Sequence, residues 1–321
     1  MRHPLSTGAG ILCAFLICQG ALAEAYPAKP VRVIVPFAAG GTFDLVARVV
    51  SQRLTEIWEQ QVVVDNRPGG ATIIATEMTV KAAPDGYTIF LSPNALAANP
   101  ALHKTLPYDT RRDLKPVVLI AAQPMALGTH PSFKANSVKD VVEMAKGKPG
   151  LLSYGTAGIG SGGHLAGEIF KSMAGIEITH ISYKGGNVAM MDVVSNQIPL
   201  VMTGLPNLLP LHRAGKIRIL GITSAKRSPV AEQIPSISET VQGYDFKNWF
   251  GFVVPAKTPT ILIKKINSAV NKVLDSGDTR QKLVALGFDV YGGSSTEFEN
   301  IVKSDTEKFS NVIRKAGIVA R

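Results

Sequence analysis

The sequence predicts an α/β protein made of two similar strand-and-helix sets, and three observations lead there. Short β-branched or apolar runs alternate with stretches of helical periodicity from residue 31 onward. The alternation breaks in a Pro-rich passage and starts again near Pro124. The 321 residues, 45% of them hydrophobic and 18% charged, suffice for two ordinary cores. The 30 glycines and 20 prolines follow no three-residue period, which excludes a collagen-like or low-complexity chain.

The chain opens as a targeting segment. Arg2 and His3 form a short basic start, Ala9 to Cys18 is apolar, and Ala21-Leu22-Ala23 places small residues where a signal peptidase reads. The apolar run, about ten residues, is too short to span a bilayer. A secretory signal over residues 1–23, cleaved after Ala23, is expected, and with it a periplasmic location. Both cysteines, Cys13 and Cys18, leave with the signal. The mature chain is then expected to hold no disulfide, thiolate nucleophile or cysteine metal site.

The elements follow in order. Residues 31–35 read as a strand ended by Pro36, and Leu45, Val46, Val49, Val50, Leu54, Ile57 and Trp58 recur at helical spacing. Residues 62–64 form a second strand, followed by the Asn66-Arg67-Pro68-Gly69-Gly70 turn and a helix to about Ala82. A third strand covers 87–91, and this order predicts a parallel sheet with helices on both faces. Residues 117–122 make another strand. The second set has strands at 151–154, 178–183, 199–203 and 217–223, with helices from about His164 and Val188. The last part holds a strand at 250–254 and helices at 259–274 and 296–316.

Two Gly-rich turns each follow a strand and open a helix. The first is Phe37-Ala38-Ala39-Gly40-Gly41-Thr42-Phe43-Asp44, and the second is Gly155-Thr156-Ala157-Gly158-Ile159-Gly160-Ser161-Gly162-Gly163-His164. Glycine lets backbone approach a ligand closely, and unpaired N–H groups at a helix start favour an anion. One such turn could serve only to reverse the chain; two at equivalent places in two sets point to an anion clamp.

Other chemistries find little support. Gly158, Gly160 and Gly163 fit a dinucleotide fingerprint in spacing, but Glu177 begins the next strand and is poorly placed for a ribose. Neither turn ends in Gly-Lys-Ser/Thr, which excludes a P-loop. Ser161 is flanked by Ile159 and Gly163, so no nucleophile elbow exists there. His103, His130, His180 and His212 lack zinc spacing, and no catalytic triad converges. Neither a catalytic residue, a metal nor a cofactor is expected. The formal charge of +10 is spread singly or in pairs such as Lys226-Arg227 and Lys264-Lys265 without aromatic interleaving, so no nucleic-acid partner is expected.

A series of short motifs carries a family likeness. It includes Tyr26-Pro27-x-Lys29-Pro30, Val35-Pro36-Phe37 with Gly40-Gly41 and Asp44, Asn66-Arg67-Pro68-Gly69, and Ala83-Pro84-Asp85-Gly86-Tyr87. Asn99-Pro100-Ala101-Leu102, Leu106-Pro107-Tyr108-Asp109, His164-Leu165-Ala166-Gly167-Glu168, Tyr183-Lys184-Gly185 and Trp249-Phe250-Gly251 extend it. In this order the chain resembles the Bug-type extracytoplasmic solute-binding receptors of tripartite tricarboxylate transporters. The resemblance implies a two-lobed Venus-flytrap periplasmic-binding-protein fold, type II, with two crossings between lobes. It places lobe one at residues 24–124 plus 248–321 and lobe two at 125–247.

The resemblance further implies a monomeric, non-enzymatic receptor that holds a small-molecule carboxylate ligand between the lobes. It would deliver that ligand to two membrane subunits of a transporter; a two-component sensor as partner, or an exported hydrolase or isomerase, are the alternatives. The two turns are the matching ligand positions. Departures concern specificity. Thr203 stands where relatives often carry Asp for a ligand ammonium, which argues against an amino-acid ligand. Phe43 and Ile159 replace smaller or polar residues, which suggests an apolar or aromatic ligand body between them. Asn187 is the expected polar contact for the far end.

Overall fold

The computed structural model describes residues 26–315, so the expected signal over residues 1–23 lies outside the described residues. In the first half, β1 (Val31–Val35), α1 (Thr42–Trp58), β2 (Val62–Asn66), α2 (Ile73–Val80) and β3 (Thr88–Ser92) follow the expected alternation. Every residue of β1 except Arg32 is buried, as a strand covered on both faces requires. Arg32 instead pairs with Asp65 of β2. In α1 the buried Val46, Val49, Val50 and Leu54 recur three and four apart, so one apolar stripe meets the sheet.

Two helices that periodicity did not disclose come next, α3 (Ala95–Leu102) and the single turn α4 (Thr110–Asp113). Pro100 sits inside α3 and disguises it; α4 is started by Asp109, whose side chain accepts from the N–H groups of Arg111 and Arg112. Then β4 runs from Leu114 to Thr129 without a break. The expected restart near Pro124 is therefore not a gap between sets but the middle of one long strand.

The second half contains α5 (Val138–Gly147), β5 (Ser153–Thr156), α6 (Gly162–Ala174), β6 (Thr179–Ser182) and α7 (Gly186–Val194). It continues through β7 (Leu200–Gly204), α8 (Leu205–Arg213) and β8 (Arg218–Ile222). The chain returns with β9 (Lys247–Pro255) and closes with α9 (Thr260–Asp275), α10 (Gly277–Ala285), β10 (Asp289–Gly292) and α11 (Ser295–Lys315).

The strand order is β2-β1-β3-β9-β4-β7-β5-β6, with β8 and β10 also paired to β4. β2, β1 and β3 are parallel, as are β7, β5 and β6, but β9 and β4 run antiparallel to their neighbours. The first three strands are parallel as expected, and the antiparallel β9 and β4 make the whole sheet mixed. Residues 114–124 of β4 pair with β9, and residues 125–129 pair with β7 and β8. Proline cannot donate to a ladder, and both prolines of β4 sit where the ladder is irregular: the register slips after Pro116, and Pro124 marks the change of partners. β9 is buried on both faces. Phe250, Phe252 and Val254 pack with α1 and α9, whereas Trp249 and Val253 pack with α11.

Candidate ligand-binding cleft

Four helices start at one place. α1 follows β1, α6 follows β5, α7 follows β6 and α8 follows β7, each directly beyond the carboxyl end of a parallel strand. That is the edge at which open α/β sheets bind ligands. The residues before these helices are Gly41, Ser161, Gly185 and Gly204, and only Ser161 caps with its side chain, accepting from His164 N–H. The first intrahelical backbone bonds run from Leu45 to Gly41, Leu165 to Ser161 and Ala189 to Gly185. The preceding N–H groups, among them those of Thr42, Phe43, Gly162, Gly163, Gly186 and Asn187, have no acceptor within their own helix.

These four ends line one narrow cleft. From the first turn it receives Phe37, Ala38, Gly41, Thr42 and Phe43; from the second, Ala157 and Ser161; Asn187 and Thr203 also line it. The other expected residues lie off its surface and shape the turns. Gly40, at φ +82°, and Gly158 and Gly160, at +127° and +75°, take backbone conformations that side chains disfavour. Asp44 is 6% exposed and accepts from Gly40 N–H and Arg48 Nε, both at 3.0 Å. Burial pushes its carboxyl up, but the hydrogen bonds from Arg48, Gly40 and Asn66 outweigh that and hold it below the usual carboxylate range. Thr156 Oγ1 accepts from Gly158 N–H at 3.2 Å, and Gly155 packs against Tyr183, Ala189 and Ile198. Ala39 and Ile159, the latter expected as a ligand wall, are not among the residues that line the cleft.

Phe43 lines the cleft but is packed mostly into the core. Its ring is 5% exposed and lies 4.8 Å from Phe37 and 4.3 Å from Phe250, centroid to centroid. It is a core ring with an edge at the cleft rather than a free stacking platform.

Several lining residues were missed. Gly185 and Gly186 form a third strand-to-helix glycine turn with the same local signature as the first two, so that signal was present. Gly204 ends β7 just before α8, and Asn207 belongs to α8, whose Pro206 and Pro210 hid the helix. Met125, Met202 and Asn248 come from strands and carry no local mark of a site. Gly162 is required by Asn248: a Cβ at 162 would collide with that amide.

Among the described residues, no Asp, Glu, Lys, Arg or His lines the cleft. Its polar groups are backbone N–H, the hydroxyls of Thr42, Ser161 and Thr203, and the amides of Asn187, Asn207 and Asn248. The carbonyl oxygens of Asn187 and Asn248 are buried without a partner. The walls are close together. A Cβ on Gly185 would stand 3.6 Å from Ala38 Cβ, and one on Gly40 would stand 3.9 Å from Asn187 Nδ2.

The sequence pattern described as the tripartite tricarboxylate transporter family receptor matches residues 46–318. The chain belongs to that receptor family. Relatives of this receptor include protein BugT of Bordetella pertussis, 32% identical over 300 residues that cover 92% of this chain and 91% of BugT. Among solved structures, Rpa4515 of R. palustris with adipate has a TM-score of 0.88 and 36% identity, over 92% of this chain and 99% of that one. MatC (Rpa3494) from Rhodopseudomonas palustris with bound malate gives 0.85 and 26%, over 90% and 100%. The receptor thus has the two-lobed α/β fold of these binding proteins, and its family consists of extracytoplasmic solute receptors rather than enzymes. Among the described residues, no helix is long and apolar enough to cross a membrane.

Proposed function

We propose that this receptor captures a small organic carboxylate in the cleft between its lobes. One observation carries the reading: four helix N-termini converge on a cleft without a charged side chain. Each end contributes a partial positive charge and free donors, worth about 0.3–1 kcal/mol toward an anion per end. An ammonium group would meet no counter-charge there, so an amino acid is disfavoured. The adipate and malate held by the two solved relatives support the same class. Phe37, Phe43, Met125 and Met202 offer apolar surface to the ligand's carbon chain.

The residues we assign to the ligand are those of the two turns that face the cleft, together with Asn187 and Thr203. Lobe one is assigned to residues 24–124 plus 248–321 and lobe two to 125–247. The change of β4 partners after Pro124 and the pairing of Pro124 with Lys247 support this division. Contacts from both lobes exist together only in the shut cleft, so the ligand favours the closed form. The closed receptor, exported by its signal and acting as a monomer, then presents its cargo to the two membrane subunits of the transporter.

Calorimetric titration with aliphatic and aromatic mono- and dicarboxylates against amino acids tests the reading. Carboxylates bind and amino acids do not. Tight binding of an amino acid with no response to simple carboxylates overturns it.

A further inference from the structure

The second glycine turn brings Ala157 and Ser161 to the cleft, but its middle residues face away. Two imidazoles hold that middle. Gly160 N–H donates to His164 Nδ1 at 3.2 Å. An N–H can only donate, so Nδ1 carries no proton and the ring is the Nε2–H tautomer. His164 N–H in turn donates to Ser161 Oγ at 3.3 Å, which closes the loop onto the start of α6. His180 of β6 stacks on His164 with centroids 4.3 Å apart, and its Nε2 shares a 2.7 Å hydrogen bond with Thr156 Oγ1. That hydroxyl is the acceptor of Gly158 N–H.

The surroundings keep both rings neutral. His164 is 5% exposed and sits in the first turn of α6, where the helix dipole opposes a cation. Glu168 and Lys171 of α6 and Tyr154 of β5 complete the neighbourhood. The Glu168 carboxylate is already occupied by Tyr154 Oη–H at 2.7 Å and by Lys171 Nζ at 3.0 Å. Burial, with the Lys171 charge behind it, lowers His164 to about 4; burial, then the neighbouring His164, lowers His180 to about 3.

We infer that His164, backed by His180, is a positioning residue for ligand capture: its unprotonated Nδ1 fixes the Gly160 amide and thereby the N–H groups of Gly162 and Gly163 at the cleft. The inference rests on the reading that this turn grips the ligand. A protonated ring has no lone pair at Nδ1, so acid releases the turn and with it the ligand.

The experiment compares wild type with His164→Asn, which keeps an acceptor near the Nδ1 position and does not titrate, and His164→Leu, which fills space without an acceptor. Adipate and malate are titrated calorimetrically from pH 7 to pH 4. At pH 7 the Asn variant matches wild type, and the Leu variant binds about tenfold more weakly, the worth of one such hydrogen bond. Between pH 5.5 and 4 wild type loses about twofold more affinity than His164→Asn, because about half of the His164 rings are protonated at pH 4. Protonation of the acid itself is common to all three proteins and cancels in that comparison. Nitrogen NMR of ligand-free wild type shows the Nε2–H tautomer, and hydrogen exchange shows a protected Gly160 amide.

If neither acid nor any other carboxylate binds, the capture reading falls, and the NMR measurements still decide the positioning of the turn. An Nδ1–H ring at pH 7, or a Leu variant with wild-type Gly160 protection and affinity, overturns the inference. So does an Asn variant whose affinity falls with acid as steeply as wild type. Should the Leu variant fail to fold, the Asn pH profile and the wild-type tautomer decide the question.

Discussion

Gln123 Nε2 donates to Thr42 Oγ1 at 3.1 Å, so a side chain from the middle of the longest strand holds the first residue of the helix that opens onto the cleft. Gln123 is fully buried, and its Oε1 has no partner. Gln123→Leu removes that unsatisfied acceptor along with the bond to Thr42. Stability stays within about 1 kcal/mol of wild type in urea unfolding, because the lost bond and the relieved acceptor offset each other. Affinity for a bound carboxylate falls about three- to tenfold as Thr42 loosens. A large loss of stability with unchanged affinity would instead make Gln123 a residue of the fold alone.

Ala38 and Gly185 face each other across the cleft. Ala38→Phe adds a ring where Gly185 leaves only contact distance, so the variant folds but does not close. Carboxylate affinity drops by at least about a hundredfold, about 2.7 kcal/mol. Small-angle scattering of the variant then shows no contraction on adding ligand, whereas wild type contracts.

Phe43→Ala cuts a ring out of the Phe37–Phe43–Phe250 stack. We expect a loss of about 3–5 kcal/mol in denaturant unfolding, the cost of removing a buried phenyl ring. Because the ring is a wall of the core, aromatic and aliphatic acids lose affinity by similar factors. A selective loss for aromatic acids would restore the stacking role that the sequence suggested.

The buried imidazoles set the acid limb of stability. Both are depressed from 6.5, to about 4 for His164 and about 3 for His180, so the folded protein keeps them neutral while the unfolded chain takes up their protons. Stability therefore falls as pH drops below 6.5 and continues to fall until the folded-state values are reached. His164→Asn shallows this limb by up to about 1.4 kcal/mol per pH unit between pH 6 and pH 4. Urea midpoints across that range measure the difference, and identical slopes would rule it out.

The strands and the long amphipathic helices were legible because their burial repeats every two or every three to four residues, as Val46, Val49, Val50 and Leu54 show. Pro100, Pro206 and Pro210 hid α3 and α8, since a local rule treats proline as a breaker while tertiary packing tolerates it near a helix start or in a short helix. Pro116 and Pro124 likewise concealed the length of β4. α5 was a different kind of miss, because Ser137 and Asp140 form a capping box ahead of Val138, Val141 and Ala145. At the cleft, glycine turns exposed two of the four helix ends. Asn248, Met125 and Met202 join the site only through sheet pairing, which no short window of sequence contains.

The pairing of β4 with β9 dictates when the molecule can fold. As the chain emerges from its amino end, β3 and β4 are present long before β9, their shared neighbour, which comes after the whole second half. The first sheet must wait with open edges while an intervening segment of well over a hundred residues is made and gathered. Slow, non-local closure of this kind leaves strand edges exposed until the carboxyl-terminal quarter arrives.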